Sequence, residues 1–282
     1  MAALAAMAAS RARSWLGMTG MAREPRVPGK AGRTELEETR LHIHEIFPSF
    51  QGEGVLVGVP QLFLRLCGCN LHCAYCDTPE ARRGTEACRV RDWEGEREVV
   101  PNPVEVADVA RIMSSLWDPS LHSVSVTGGE PLLQAGELAR LLPLLAEEGM
   151  GVYLETNGTL YQELDGVLPW VEWVAMDVKL PSALGGRDPI HEHRLFLRRA
   201  RSRRVFLKMV VDTGTGEGEL VRACRVLSEE AGDLALVLQP ATPMPGGEWV
   251  AVGRVAELQR VASAFFPDVR VIPQAHRAWG AR

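Results

Sequence analysis

The sequence has few aromatic residues, no basic excess and no long apolar run. Aromatic side chains make up 6% of its 282 residues, and the formal net charge is −5. No uninterrupted apolar stretch approaches the roughly 20 residues that a membrane-spanning helix needs. These absences argue against a membrane protein and against nucleic acid as an obligate partner. The hydrophobic content of 46% predicts instead an ordinary globular domain with a substantial core.

The six cysteines do not match the pattern of a secreted disulfide framework. Three of them, Cys69, Cys73 and Cys76, lie close together directly after a stretch that is predicted to be a strand. This clustering favours a reducing, cytoplasmic setting.

Residues 1–38 differ in composition from the rest of the chain. They are rich in alanine and arginine and lead into a Pro/Gly/Lys stretch. We interpret them as a disordered extension or as a start assigned too early, with Met21 as an alternative start. A targeting segment is the other interpretation, although no clear cleavage pattern follows. Residues 39–282 are predicted to form one domain.

From Leu41 onward, strand patterns alternate with helical patterns. Strands are predicted near residues 41–47, 61–67, 122–127, 151–156, 172–179, 204–211 and 234–239. Helices are predicted over residues 102–117, with Asn102 as N-cap and Pro103 in the first turn, and over 135–149, 159–168, 190–201, 217–230 and 248–264. Such alternation predicts parallel strands joined by crossover helices. The charged segment 80–101 is predicted to be an irregular insertion.

Read with the period of two that strands follow, most of these segments have one apolar face. The other face turns polar near the C-terminal end of the strand, where a barrel places its site. We therefore predict an incomplete, TIM-like (β/α) barrel of about six parallel strands with a polar lumen. An antiparallel sheet with one solvated face is the alternative, and the intervening helices argue against it.

The three clustered cysteines have C-x3-C-x2-C spacing. They can hold three irons of a cubic iron–sulfur cluster, which normally has four cysteine ligands. The fourth iron would then be open to a small molecule. Zinc is the alternative, but structural zinc needs four ligands, usually in two separated pairs. His72 adjoins Cys73, and the sequence contains no second C-x2-C or H-x3-H pair. Cys67, Cys88 and Cys224 are interpreted as inert thiols.

A second motif supports the cluster. Thr127-Gly128-Gly129-Glu130-Pro131 follows the next predicted strand, and its glycines let the backbone approach a ligand closely. With an aromatic residue directly before the last cysteine, this combination resembles the radical S-adenosylmethionine (SAM) superfamily.

Further motifs resemble the 7-carboxy-7-deazaguanine synthases over residues 41–282. They are Glu45-Ile46-Phe47, Gln51-Gly52-Glu53-Gly54, Phe63-Leu64-Arg65, Gly68-Cys69-Asn70-Leu71, Cys76-Asp77-Thr78, Glu155-Thr156-Asn157-Gly158, Gln239-Pro240 and Pro273-Gln274-Ala275-His276-Arg277. Two positions depart from the family pattern. Asp177-Val178-Lys179 stands where many members have Ser-Pro-Lys, and Arg277 stands where lysine is usual, which puts individual contacts in doubt.

The resemblance implies a ring contraction. An electron delivered to a [4Fe–4S] cluster cleaves SAM into methionine and a 5′-deoxyadenosyl radical, which abstracts hydrogen from 6-carboxy-5,6,7,8-tetrahydropterin. The substrate radical rearranges and loses ammonia to give 7-carboxy-7-deazaguanine, a precursor of queuosine. The expected partners are an electron donor such as flavodoxin or ferredoxin and a second copy in a homodimer.

The resemblance also implies the site residues, and no catalytic side chain is expected beyond the cluster and SAM. Cys69, Cys73 and Cys76 would hold the cluster, and Thr78 would bind Mg²⁺, although its position after Asp77 would otherwise indicate a helix cap. Substrate contacts are expected from Phe50, Gln51, Gly52, Arg65 and Thr127. SAM contacts are expected from Tyr75, Cys76, Asp77, Gly129, Asp177, Lys179 and Gln239.

Several of these side chains also have other interpretations. Arg65 offers a planar fork for a carboxylate, but it could equally fill the barrel in an ion pair. Glu53 has two interpretations: it forms hydrogen bonds with the pterin, or it is a solvated carboxylate in the loop. Glu155 and Asn157 are expected to support the site. The terminal carboxylate of Arg282 is expected to fold back over the mouth.

The rival interpretations are a glycyl-radical activase and a non-catalytic metal-binding scaffold. Reconstitution separates both enzyme interpretations from the scaffold. We expect anaerobic incubation with iron and sulfide to give a reducible cluster that cleaves SAM. Absorbance spectroscopy and chromatography of 5′-deoxyadenosine measure this result. Failure to form such a cluster would remove both enzyme interpretations.

Overall fold

A computed structural model describes residues 39–243 and 247–280. The interpretations of residues 1–38 and of the Arg282 carboxylate lie outside the described residues. Twelve strands occur in the described ranges: β1 Arg40–Leu41, β2 Ile43–Phe50, β3 Pro60–Leu66, β4 Ala87–Arg91, β5 Glu96–Pro101, β6 Val104–Glu105, β7 Ser123–Gly128, β8 Val152–Thr156, β9 Val171–Asp177, β10 Arg204–Val211, β11 Ala235–Pro240 and β12 Asp268–Val271.

The α-helices lie mostly between the parallel strands. In the described ranges they are α1 Val106–Leu116, α2 Ala135–Glu147, α3 Leu164–Val167, α4 Ile190–Ala200, α5 Glu217–Ala231, α6 Val252–Ala262 and α7 His276–Trp279. Short 3₁₀ turns add to the connections, including Pro181–Leu184 after β9. No helix in these ranges is both long and apolar enough to span a bilayer.

Ten strands form one sheet in the order β12-β11-β10-β9-β8-β7-β3-β2-β4-β5. The seven strands from β12 to β3 are mutually parallel, β2 is antiparallel to β3, and β4 and β5 form an antiparallel hairpin at the far edge. This arrangement confirms the predicted α/β fold with a parallel, incompletely closed (β/α) barrel. The parallel part has one strand more than predicted, because β12 was missed.

Alternate strand positions face two different apolar layers. Leu64, Val126 and Leu154 point into the main core, which also contains the buried faces of the helices. On the opposite face lies a smaller apolar cluster of Tyr153, Ala175, Phe206 and Val237. Because residues i and i+2 share a face of a strand, the next positions toward the C-terminal ends are polar: Glu155, Asp177, Lys208 and Gln239. The smaller cluster is thus the floor of a polar mouth.

The segment 80–101 was predicted to be irregular, and this prediction was wrong for its second half. Ala87–Arg91 pairs with Glu96–Pro101 in a hairpin. Most of its charged residues belong to exposed strand positions, and all but one residue of β5 are exposed. Charge alternation on an edge strand with little buried surface leaves only a weak strand pattern in the sequence.

Asn102 is not the N-cap of the helix that follows. Its side chain instead joins two loops to β2, donating to the carbonyl oxygens of Ile43 (2.7 Å) and Thr85 (3.0 Å). Its Oδ1 atom accepts from the backbone N–H of Ile43 at 3.1 Å. The helix therefore begins later, at Val106, after the short strand β6.

Two other helix predictions were too long. The predicted helix over residues 159–168 is only one turn, Leu164–Val167, followed by a 3₁₀ turn. The last long helix begins at Val252 rather than at residue 248. In the first case the loop residues Leu160 and Tyr161 pack against the core, and in the second Val250 is buried before the helix begins.

Replacement of Asn102 by alanine should destabilise the protein. The bonds that Asn102 makes to Ile43 and Thr85 would be lost, so we expect the free energy of unfolding to fall by about 2–3 kcal/mol. Urea denaturation followed by circular dichroism measures it. Gln162→Ala removes an exposed amide and is the control. Equal stability of the two variants would contradict this account of Asn102.

Candidate active site

The polar mouth opens at the C-terminal ends of the parallel strands and contains a cavity of about 580 Å³. Each of six strands contributes at least one polar side chain to the lining: Arg65, Thr127, Glu155, Asp177, Lys208 and Gln239. Three loops and the C-terminal segment complete the wall. Such a position is where (β/α) barrels carry their sites.

The cysteine loop follows β3 and forms one side of the cavity. Cys69, Cys73 and Cys76 are all half-buried cavity residues without a disulfide. Burial raises the pKa of the Cys69 and Cys73 thiols. The loop is held against the turn that follows β9, because the backbone N–H of Ala74 donates to the carbonyl of Ala183 at 3.0 Å.

The spacing of the three sulfur atoms argues against a zinc ion. Tetrahedral zinc with bonds of 2.3 Å needs ligand sulfurs about 3.8 Å apart. Among the described residues, the one group of three potential ligand atoms within 4.8 Å of one another is Glu53, Asp77 and His276, not the cysteines. His72 is exposed and is not among the cavity residues. The wider thiol spacing fits a cluster of several irons.

The remaining cysteines lie away from the cavity lining. Cys88 and Cys224 are fully buried, and burial raises the pKa of each thiol to about 12. The Cys67 sulfur lies 3.6 Å from the Thr85 hydroxyl. All three are positioned for packing, in agreement with their interpretation as inert thiols.

The glycine pair after β7 permits close backbone contact with the cysteine loop. A Cβ atom on Gly129 would lie 2.1 Å from the carbonyl oxygen of Gly68, and one on Gly128 would lie 2.3 Å from that of Leu66. Gly128 also has φ of +146°, which side chains rarely adopt. Glycine is therefore required at both positions.

Glu130 joins the ends of β7 and β8. Its buried carboxylate accepts from the backbone N–H of Leu132 (3.1 Å) and Asn157 (2.7 Å) and from the Thr156 hydroxyl (2.9 Å). Burial raises the pKa of Glu130 to about 7 despite these donors. Its position at the base of the glycine turn indicates a structural role.

Asn157 extends this support to the cysteine loop. Its amide donates to Asn70 Oδ1 at 2.8 Å, and Asn70 in turn donates to the Thr159 hydroxyl at 2.9 Å. Buried His193 lies behind, with Nε2 3.0 Å from the Asn157 carbonyl oxygen. Asn157 thus has the supporting position that the sequence predicted.

Glu155 is the acceptor for three side chains. It accepts from the Gln51 amide (2.9 Å) and the Ser125 hydroxyl (2.9 Å) through Oε1, and from the Thr127 hydroxyl (3.0 Å) through Oε2. Gln51 also donates to Gln61, and its Oε1 accepts from the Glu53 backbone N–H. Gln51 and Thr127 line the cavity as predicted, but their side chains are held by Glu155.

Arg65 is already paired within the protein. Its Nε donates to Glu45 at 3.0 Å, its guanidinium lies 5.7 Å from the Phe47 ring centroid, and Arg91 also contacts Glu45. The barrel-filling ion pair is therefore present, while Arg65 also lines the cavity. Phe50 is not among the cavity residues; it is 42% exposed and stacks obliquely on Trp93 at 5.4 Å. The structure gives no support to its predicted substrate contact.

Four largely buried charges lie side by side on the far wall. Asp177 Oδ2 lies 2.7 Å from Lys179 Nζ and 3.1 Å from Lys208 Nζ, and Lys208 also contacts Glu53. Burial alone would raise the pKa of both carboxyls, but their partners more than offset it. Lys179 and Lys208 lower the pKa of Asp177, and Lys208, with Gln274 and His276, brings that of Glu53 to about 2.

Lys208 is not among the site residues that the sequence predicts. The only indication was a charged residue inside an otherwise apolar strand pattern. Its partner Glu53 is 155 positions away, so the pattern could not identify the pair.

The C-terminal segment closes the mouth. The Gln274 amide donates to Glu53 Oε1 (2.8 Å) and to Asp77 Oδ2 (2.7 Å), and Ala275 N–H donates to the Gly52 carbonyl (2.8 Å). His276 packs so tightly on Gly52 that a Cβ there would lie 1.9 Å from its Nδ1. Gln274 and the loop before β3 thus come together at the cysteine loop.

Four buried polar atoms of the described residues have no hydrogen-bond partner and belong to cavity residues. They are His44 Nδ1, Tyr75 OH, Asp177 Oδ1 and Gln239 Oε1. Buried polar groups normally find a partner, so such atoms in a cavity indicate a polar ligand. Two of them are acceptors, which favours a ligand that offers several N–H or O–H groups.

The sequence of residues 65–213 matches the Radical SAM superfamily. The chain is therefore a radical SAM enzyme, a class that uses a [4Fe–4S] cluster and SAM. It is 42% identical to the 7-carboxy-7-deazaguanine synthase of Geobacter sulfurreducens, over 84% of this chain and 96% of that relative. The enzyme of the same name from Methanopyrus kandleri is 36% identical over 84% and 92%.

The chain belongs to the 7-carboxy-7-deazaguanine synthase family, which places it in queuosine biosynthesis. Among solved structures, QueE from Escherichia coli is similar in fold, with a TM-score of 0.56 and 21% identity over 88% of this chain and 100% of that one. A radical SAM methyltransferase from Sphaerobacter thermophilus gives a TM-score of 0.52 and 20% identity over 76% and 66%.

Replacement of Gly129 by alanine should weaken SAM binding. The new methyl group would displace the backbone of Gly68 and so move the cysteine loop, and we expect the dissociation constant for SAM to rise about tenfold or more. Equilibrium dialysis with the reconstituted protein measures it. Gly136→Ala is the control, because a Cβ there meets nothing within 4 Å. Parental affinity in Gly129→Ala would refute the close approach.

Proposed function

We propose that this protein converts 6-carboxy-5,6,7,8-tetrahydropterin into 7-carboxy-7-deazaguanine with loss of ammonia. One observation carries the proposal: the cysteine loop, the glycine pair and the loop of residues 51–54 all line the same cavity. The family relatives that are named for this product support the same reaction.

The residues present fit the cluster and SAM. Cys69, Cys73 and Cys76 would hold the cluster, which with SAM supplies a carbon radical that takes hydrogen from the substrate. The unpartnered acceptors Asp177 Oδ1 and Gln239 Oε1 suit the hydroxyl and ammonium groups of SAM.

We propose that Lys179 and the backbone near Gly129 make further contacts with SAM. Lys179 Nζ lies 5.3 Å from the centroid of the Tyr75 ring and is placed to face the methionine carboxylate. Gly129 offers its peptide group, while Cys76 and Asp77 pass beside the cofactor. Together these residues would hold SAM against the open iron.

The other half of the cavity suits a pterin. Glu53 and Glu155 are acceptors for the ring N–H and amino groups, and Gly52 brings backbone close to the same place. Arg65 is the cation for the substrate carboxylate. Gln51 and Thr127 would act mainly by orienting Glu155, which both of them contact.

We also propose that Thr78 binds Mg²⁺ together with substrate oxygens. Its position supports this, since Thr78 lines the cavity directly after Asp77, and Asp77 and Glu53 provide negative charge close by. Mg²⁺ prefers oxygen ligands and keeps waters, so one protein hydroxyl can suffice beside a chelating substrate.

A protein substrate, as in a glycyl-radical activase, fits less well. The C-terminal segment bonds to the loops on both sides of the mouth, so a cavity of about 580 Å³ remains, which suits a small ligand. A reductant is needed, and flavodoxin or ferredoxin would serve. The homodimer and the cytoplasmic location are part of the proposal and rest on the family resemblance.

Turnover of the carboxy-tetrahydropterin tests the proposed function. We expect reconstituted protein with SAM, a reductant and Mg²⁺ to form 7-carboxy-7-deazaguanine and ammonia, detected by mass spectrometry. Omission of Mg²⁺, or Thr78→Val, should lower kcat/KM about tenfold or more. If 5′-deoxyadenosine forms without the deazaguanine product, the substrate is a different one. A rate that is independent of Mg²⁺ would refute the role of Thr78.

A further inference from the structure

Lys208 is a buried cation that contacts carboxylates from two different parts of the wall. It lies in the middle of β10, and its side chain is 11% exposed. Its ammonium contacts Glu53, from the loop between β2 and β3, and lies 3.1 Å from Asp177 at the end of β9. A buried lysine needs such partners, because an unpaired charge in the interior is strongly unfavourable.

The Glu53 side of this contact holds the loop that would face the pterin. Glu53 also accepts from Gln274 at 2.8 Å, and Gly54 lies against Phe206, two residues before Lys208. Phe206 and Lys208 share one face of β10. One strand therefore anchors this loop by an apolar contact and an ion pair.

The Asp177 side faces the place where we expect SAM. Lys179 and Lys208 both contact Oδ2, whereas Oδ1 is buried and has no partner among the described residues; Asp177 is also a cavity residue. Two cations on one oxygen fix the orientation of the carboxylate and leave its other oxygen without a protein partner.

The four charges balance. Glu53 and Asp177 contribute two negative charges, and Lys179 and Lys208 contribute two positive ones. Loss of the Glu53 charge would leave Lys179 and Lys208 with Asp177 alone, a net charge of +1 beside a ligand whose sulfonium is cationic. The effect would be strong because these groups are poorly solvated. A change in the charge of Glu53 would thus alter the affinity of the other subsite for SAM.

We propose that Lys208 is a positioning residue that couples the two ligand subsites, by holding Glu53 toward the substrate and Asp177 toward SAM. That the ligand beside Glu53 is the pterin rests on the proposed function. The coupling itself involves the Radical SAM cofactor and three side chains of this chain. By thermodynamic linkage, a change at Glu53 must then alter the affinity for SAM through Lys208.

The test measures SAM binding by equilibrium dialysis with reconstituted, unreduced protein, so no turnover is needed. We expect Glu53→Gln to raise the dissociation constant about threefold or more, and Lys208→Met about tenfold or more. The double variant should bind no more weakly than Lys208→Met alone, because the path between the subsites is then already broken. Lys208→Arg keeps the charge and should remain within about threefold of the parent.

Glu163→Gln is the matched control for Glu53→Gln, because it removes an exposed carboxylate outside the cavity. Iron content and thermal melting establish that each variant folds. Unchanged SAM affinity in Glu53→Gln, or effects of Glu53→Gln and Lys208→Met that simply multiply, would overturn the proposal. Should Lys208→Met alone not fold, Glu53→Gln decides the question, because an unchanged SAM affinity in that variant still overturns the proposal.

Failure of the proposed function would give a different result. If the pterin is not the substrate, no deazaguanine forms in the turnover assay, but the dependence of SAM binding on Glu53 and Lys208 remains. If Lys208 does not couple the subsites, the product still forms while the SAM affinities of the variants are independent.

Discussion

The mouth of this barrel depends on keeping charged side chains buried without leaving any of them unpaired. A charge moved from water into a protein interior loses several kcal/mol of solvation, and only close partners restore it. Lys208, Lys179, Asp177 and Glu53 meet this requirement collectively, with two charges of each sign. The same pairing fixes the directions of the side chains. The contacts that make the burial of these charges tolerable therefore also pre-organise the site for polar ligands.

A second constraint is the close approach of the backbone at the glycine turn. The carbonyl oxygen of Gly68 occupies the space that a side chain at Gly129 would need. Glu130 then holds the end of β8, because its carboxylate accepts hydrogen bonds from two backbone N–H groups and a hydroxyl. The cysteine loop is thus supported from both sides, by this turn and by the contact of Ala74 with Ala183. Rigid placement of three thiols leaves the position of a cluster little freedom.

How much of this could be predicted from the sequence depended on the range of the interactions. The parallel strands, the polar ends and the cysteine motif were predictable, because each is a local pattern of period or spacing. The hairpin β4–β5 was missed, since an exposed edge strand such as Glu96–Pro101 has no apolar face to give a pattern. Asn102 was misread because a residue before a predicted helix resembles a cap. Its actual partners, Ile43 and Thr85, belong to distant parts of the chain.

The contacts that sequence reasoning could not supply are those that complete the cavity. Gln274 reaches Glu53 across 221 positions and Asp77 across 197. One amide group thus joins the loop that would face the substrate to the loop that carries the cysteines. Both partners are carboxylates that also lie near His276 and Thr78, so the groups that close the mouth are the groups that would meet a cation or a pterin. The contacts of this one amide thus hold in place the two carboxylates that a bound cation or pterin would meet.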